Sequence, residues 1–313
     1  MEVFFASLQA ISILIGLGVI GFVVIARKIV PEEILKLLSS LAIDVAVPLL
    51  VFTNIIVKFD PTKDSSWWTL PLWWAFFAAV TLIMTVALGR CFMPSIRQEA
   101  VTAMYLNNPT FVPLSILIGI YGANSSYIAD LFLFTMFSAA FYFNFYKVFF
   151  NKKSNAGRVN WNKIFNPILK ATVLALILKL TGIGAYIPRF VLSITGQIGD
   201  MSFPLIMMIL GGNIYQDMKK SGPIYLGPLI KYLLIKNILF PLIILGILYF
   251  VRPPFPVALI LLLQAAAPPL TTVPVLIERE GGNMQIANQF VVASFIFAII
   301  SIPLMMTIFN RLF

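Results

Sequence analysis

Charge is what this sequence has least of. Only 11% of its 313 residues are Asp, Glu, Lys or Arg, while 60% are hydrophobic; an ordinary soluble domain carries about 25% charged residues. Histidine is absent, so any proton coupling falls to carboxylates. Cysteine occurs once, at Cys91, which excludes an intrachain disulfide and a multi-cysteine metal site. There is no glycine-rich phosphate-binding pattern, so the chain by itself would not hydrolyse ATP. Long polar stretches are also scarce, and the apolar residues come in runs rather than stripes. A soluble protein could not hide that much apolar surface, so the sequence reads as an all-α polytopic membrane protein. Met1–Phe5 lacks the basic start of a signal peptide, and the first apolar run is expected to stay as a span.

The net charge is +10. Its basic residues sit in short loops between apolar runs, which points to membrane topology and anionic lipid headgroups rather than nucleic acid. Runs of roughly 20 apolar residues fall at 4–26, 34–57, 67–88, 97–119, 125–150, 163–182, 190–213, 224–250, 256–277 and 284–310. The longest polar connection, 151–163, separates an N-terminal set of five (1–150) from a C-terminal set of five (164–313). Loops after the odd spans carry Arg27, Lys28, Lys36, Arg90, Arg97, Lys147, Lys152, Lys153, Arg158, Lys163, Lys219, Lys220 and Arg279. The opposite side carries Lys58, Lys63, Arg189, Arg252 and Arg311. The positive-inside rule then places both termini outside and the middle loop in the cytoplasm. The Trp-rich segment 67–74 fits an aromatic belt at the outer interface.

Five spans per half is an odd number, so the second half enters the membrane from the opposite side, and repeats of this kind are inverted. Span two contains DVAVPLL (44–50) and span seven contains DMSFPLI (200–206), both Asp-x-x-x-Pro-Leu. Span four is interrupted by Pro109 and Pro113 beside Asn107 and Asn108; span nine is interrupted by Pro268, Pro269 and Pro274. Broken helices in matching positions of two halves point to a transporter site at the bilayer midplane. Proline frees a carbonyl, which in lipid is tolerable only where another group satisfies it or it lines a wet cavity. Two helices crossing at their breaks bring half-helix N-termini together, and these suit a carboxylate. Asn107, Asn108, Pro109, Thr110, Gln264, Pro268, Pro269, Thr271 and Thr272 are therefore the candidate substrate-binding residues. Proline kinks made for packing alone are the competing account.

Asp44 and Asp200 fall mid-span, where a charge costs about 2.5–3.5 kcal/mol on insertion scales and is expected to face the bundle interior. They read either as proton or cation coupling, or as neutral acids bonded to backbone freed at Pro48 and Pro204. Lys236, also mid-span, is expected to pair with an Asp or attract an anion. Lys170 and Lys179 are expected to snorkel, and Asp130 and Glu278–Glu280 to be solvated. Two intramembrane Asp faintly suggest an aspartyl intramembrane protease, but the fuller glycine-aspartate motif is missing. Neither cofactor nor metal is implied.

On LAIDVAVPLLVF (41–52), NNPTFVPLSILIGIYG (107–122), PPLTTVPVLIEREGGN (268–283) and ASFIFAIISIPLMM (293–306), the chain resembles the auxin efflux carrier family, which contains plant PIN and PIN-like carriers and prokaryotic relatives. The resemblance implies ten helices as two inverted five-helix repeats, related to bile-acid symporters and sodium/proton antiporters. Spans four and nine would cross. Spans one, two, six and seven would form a scaffold, which is often the dimer contact, and spans three to five and eight to ten a moving domain. It implies a small organic anion (auxin-like, or a mono- or dicarboxylic acid) as substrate, membrane lipid as surroundings, and a homodimer through the scaffold. Which of Asn107 and Asn108 matches the family's amide is open, and span nine has threonines where a partner amide would stand.

The leading expectation is a secondary carrier exporting or exchanging a carboxylate by elevator-like alternating access. The membrane potential alone, worth about 2.3 kcal/mol per charge at 100 mV, supports roughly fiftyfold accumulation. The alternatives are a sodium-coupled symporter of the bile-acid type and a non-transporting receptor or sensor.

Overall fold

A computed structural model describes residues 2–62, 66–122, 125–138, 141–142, 146–150, 167–220 and 224–313. The middle loop, with Lys152, Lys153, Arg158 and Lys163, lies outside the described residues, as does Lys63. The described chain is helical. In order come α1 (Glu2–Ala26), α2 (Ile34–Lys58), α3 (Leu70–Gly89), α4 (Arg97–Tyr105), α5 (Phe111–Tyr121), α6 (Tyr127–Thr135) and α7 (Pro167–Leu180). Then follow α8 (Arg189–Asp200), α9 (Ser202–Lys220), α10 (Leu226–Val251), α11 (Phe255–Ala266), α12 (Val273–Arg279) and α13 (Met284–Leu312). Among the described residues, five stretches are long and apolar enough to cross a membrane: Ile34–Lys58, Trp67–Gly89, Arg189–Gln216, Leu226–Val251 and Met284–Leu312.

Glycine and proline set the ends. Gly122 and Gly182, after α5 and α7, adopt φ of 79° and 78°, a conformation side chains resist. Pro188 and Pro254 precede α8 and α11, where their missing N–H costs nothing. Inside α2 and α10 the backbone widens into π-turns at Ala42–Ala46 and Leu234–Leu239, just ahead of Pro48 and Pro241. The wider turn shifts the ladder by one residue where a proline ring would strike the carbonyl four back.

Two sets of helices pack among themselves. α1 lies along α9, and α2 packs on α7 and α8. The α1–α9 contact is backbone on backbone: a Cβ on Gly211 would stand 1.7 Å from the Gly18 carbonyl oxygen, and one on Gly21 would stand 2.0 Å from that of Met208. Gly199 likewise sits on Leu50, and Thr53 Oγ1 donates to Thr195 Oγ1 at 2.8 Å. The other set joins α3 to α4 and α6, and α10 to α11 and α13, with α4 and α12 both meeting α13. Between the sets, α1 touches α5 and α13.

Several expectations are corrected. Asp44 and Asp200 do not face the interior; both are exposed on the outer faces of α2 and α8, whose inner faces are taken by the Leu50–Gly199 and Thr53–Thr195 contacts. Neither carboxylate bonds backbone freed at Pro48 or Pro204 among the described residues. Burial cost follows depth, but the side a residue faces is set by packing. Asp130 is buried rather than solvated, in the first turn of α6, where the helix dipole favours a carboxylate. Lys179 does not simply snorkel: its Nζ donates to Ile56 O at 2.8 Å, near the C-terminal end of α2. The stretch read as span five is α-helical over Tyr127–Thr135, with a 3-10 turn at Tyr146–Phe149. Span seven divides at Met201 into α8 and α9, since Pro204 cannot donate to Asp200 O, and α9 continues to Lys220.

Candidate functional site

The two proline-rich interruptions meet. Residues 106–110, between α4 and α5, run antiparallel to 267–272, between α11 and α12, and Asn107 bridges Pro269. Two reciprocal backbone bonds join them: Asn108 N–H donates to Pro268 O at 2.8 Å, and Leu270 N–H to Leu106 O at 2.8 Å. Four half-helix ends therefore converge. The C-terminal ends belong to α4 and α11, and the N-terminal ends to α5 and α12.

Each proline removes the N–H that would have served the carbonyl four residues earlier. Pro113, Pro268 and Pro269 thus release the carbonyls of Pro109, Gln264 and Ala265. All three find donors on other helices or on the opposite interruption. Gln264 Nε2 donates to Pro109 O at 2.5 Å, Asn107 Nδ2 to Gln264 O at 2.8 Å, and Lys236 Nζ to Ala265 O at 3.1 Å. Leaving such a buried acceptor unpaired costs about 1–3 kcal/mol, so these donors hold the breaks open.

The sequence-selected residues divide by what they have left to offer. Asn107 is used up: its Nδ2 also donates to Gln264 Oε1 at 3.0 Å, and its Oδ1 accepts from Tyr142 Oη at 2.5 Å. Gln264 is fully buried and engaged at both ends of its amide. Asn108 differs. Its Oδ1 caps α5 by accepting from Phe111 N–H at 3.0 Å, while its Nδ2 makes no hydrogen bond among the described residues and is not sealed from solvent. Pro109, Pro268 and Pro269 are buried and shape the breaks. Thr110 and Thr271 are half-buried and Thr272 is exposed.

Lys236 is 1% exposed, in the π-turn of α10. Its ammonium lies 5.1 Å over the Phe240 ring and meets no carboxylate among the described residues. The expected pairing with Asp44 or Asp200 is absent, since both lie outward on the other helix set. Next to it, Asn237 ties α10 to α13 by donating to Ser294 O at 3.1 Å and accepting from Ser294 Oγ at 2.8 Å. Sequence reading passed over Tyr142, Asn237 and Glu99. Glu99, 4% exposed, accepts from Asn283 N–H at 2.7 Å and fastens α4 to the start of α13.

The model of the membrane transport protein family, the group of PIN-like auxin efflux carriers, matches residues 6–306. The chain belongs to this family. Comparison with curated proteins gave no match. Members of the membrane transport protein family are transporters rather than enzymes, and the apolar helices place this member in a membrane. The family's stretch takes in both interruptions and Lys236.

Proposed function

We propose that this family member is a secondary transporter of a small organic anion, a carboxylate, and that the crossing is where the anion is held. The observation that carries the reading is electrostatic. Lys236 supplies a buried amine with no carboxylate beside it among the described residues, and an anion arriving there would stabilise its protonated, positive form. Asn108 Nδ2 is the free amide donor, and the Thr110 and Thr271 hydroxyls stand on the same pair of interruptions. Alternating access would come from the set α3–α6 and α10–α13 shifting against a scaffold of α1, α2 and α7–α9. In this reading the ten spans form two inverted repeats and both termini face outward.

The bile-acid type of sodium coupling is disfavoured by the same bookkeeping. A sodium site needs oxygens, and the carbonyls released by Pro113, Pro268 and Pro269 are already occupied by Gln264, Asn107 and Lys236.

The test is flux into liposomes holding the purified protein, with a panel of labelled mono- and dicarboxylates, an imposed potassium diffusion potential, and sodium replaced by choline. At least one carboxylate should move, faster when the potential draws anions, with no change on sodium removal. Saturable binding without flux in any arm would favour a receptor and sink the transporter reading.

A further inference from the structure

Between the two helix sets lies a cleft of about 510 Å³, with α1, α9 and α13 as its walls. Gly18 and Phe22 come from α1, Leu210 and Ile214 from α9, and Val292 and Ile299 from α13. Its deep end reaches Val112 and Pro268, at the two interruptions. Almost no polar atom lines it. Its mouth is formed by Val19, Val23 and Ile296, which are 54%, 42% and 61% exposed and lie on helices that carry apolar side chains outward.

We propose that this cleft is a lipid site: one acyl chain of a bilayer phospholipid enters between α1 and α13 and ends against the crossing at Pro268. Water does not fill such a space, because a buried water needs two to four polar partners. A protein helix does not fit it, since a cylinder about 10–12 Å across uses up such a volume in roughly one turn. An alkyl chain needs neither polar partners nor that girth, and the mouth opens where the surrounding medium is hydrocarbon. The chain would lie between α1 and α9 on one side and α13 with the crossing on the other, so it would leave or reposition when the sets slide. The site stands on the cavity and its lining alone and is independent of the substrate proposed above.

Photolabelling tests it. Purified protein is reconstituted with phosphatidylcholine bearing a diazirine at the end of one acyl chain, irradiated, and digested for mass spectrometry. A parallel arm uses the free diazirine fatty acid. Adducts are expected on Leu210, Val112 or Ile299 in the phospholipid arm. They should fall at least fivefold in Val292→Trp and in Ile299→Trp, two separate fillings of the cleft, while surface adducts around Leu72 and Phe76 stay constant. Each variant is first checked for an unchanged size-exclusion profile, and the one that keeps it is used. Adducts confined to the rim at Val23 and Ile296, or unaffected by cleft filling, would overturn the proposal. Deep labelling by the free fatty acid alone would overturn the phospholipid source. Crosslinked dimers through Val19 or Ile296 would assign the face to a second copy instead.

Discussion

Asn107 and Asn108 are neighbours of the same type, and the structure sets them opposite tasks. Asn107→Leu keeps the volume of the side chain while removing both polar ends. It strands Gln264 O, which has no Pro268 N–H to fall back on, together with Gln264 Oε1 and Tyr142 Oη. At about 1–3 kcal/mol for each buried orphan, and with the shortfall from additivity expected of a shared network, the loss is about 3–5 kcal/mol. Asn108→Ala removes only the cap on Phe111 N–H, worth about 0.5–2 kcal/mol. Thermal denaturation of both proteins in one detergent reads the difference directly, at about 1.5 °C per kcal/mol for a chain of this size. Carboxylate binding, read as the shift each ligand adds to the midpoint, should run in reverse order. Asn108→Ala should lose the ligand shift while staying folded; any Asn107→Leu that folds should keep part of it. Equal destabilisation by the two substitutions would refute the hydrogen-bond accounting. Full ligand response in Asn108→Ala would remove its free amide from the site.

Lys236→Met replaces an unpaired buried ammonium by an isosteric apolar chain. Stability should change by less than about 1–2 kcal/mol, since orphaning Ala265 O offsets relief of the charge, while carboxylate flux in liposomes should fall at least about tenfold. Gly211→Ala puts a methyl 1.7 Å from Gly18 O, and overpacking against backbone of this kind costs about 3 kcal/mol or more; the protein should aggregate or elute as a broad peak. Gly246→Ala, with nothing within 4 Å, should be neutral or stabilising by up to about 1 kcal/mol. Glu99→Ala should cost about 0.5–1.5 kcal/mol by removing the acceptor of Asn283 N–H, and Glu99→Gln, which keeps an acceptor, should recover most of it in the same melt.

Much of the crossing was legible because proline chemistry is local. Each proline names the carbonyl it releases, so Pro113, Pro268 and Pro269 point to positions 109, 264 and 265 before any coordinates exist. The donors were less legible, because they come from other helices. Gln264 and Asn107 stood beside the breaks and were found. Tyr142 sits in an aromatic run, FYFNFY, with no periodicity to mark it out, and Lys236 was expected to seek a carboxylate rather than a carbonyl. Asp44 and Asp200 were misplaced for a related reason. Hydropathy fixes how deep a residue lies, but rotation about the helix axis depends on partners such as Gly199 and Thr195, and a π-turn at Ala42–Ala46 shifts that rotation again.

If the crossing holds the substrate as proposed, its selectivity would turn on an asymmetry between its two arms. Two helix C-termini and two N-termini meet there, and their partial charges of about half a unit each cancel to first order. Such a balanced junction has no preference for cations or anions. Lys236 breaks the balance from one side only, by resting on Ala265 O at the negative end of α11. The C-terminal end of α4 receives no such cation among the described residues. Tyr105 O is met by Asn107 N–H at 2.9 Å instead. The junction is therefore left with one buried amine and the free Asn108 amide, and whenever that amine is protonated a second positive ion entering would face repulsion in a low-dielectric interior. In the proposed reading, a preference for anions would come from a single lysine on α10 rather than from the crossing geometry, which by itself would serve either sign.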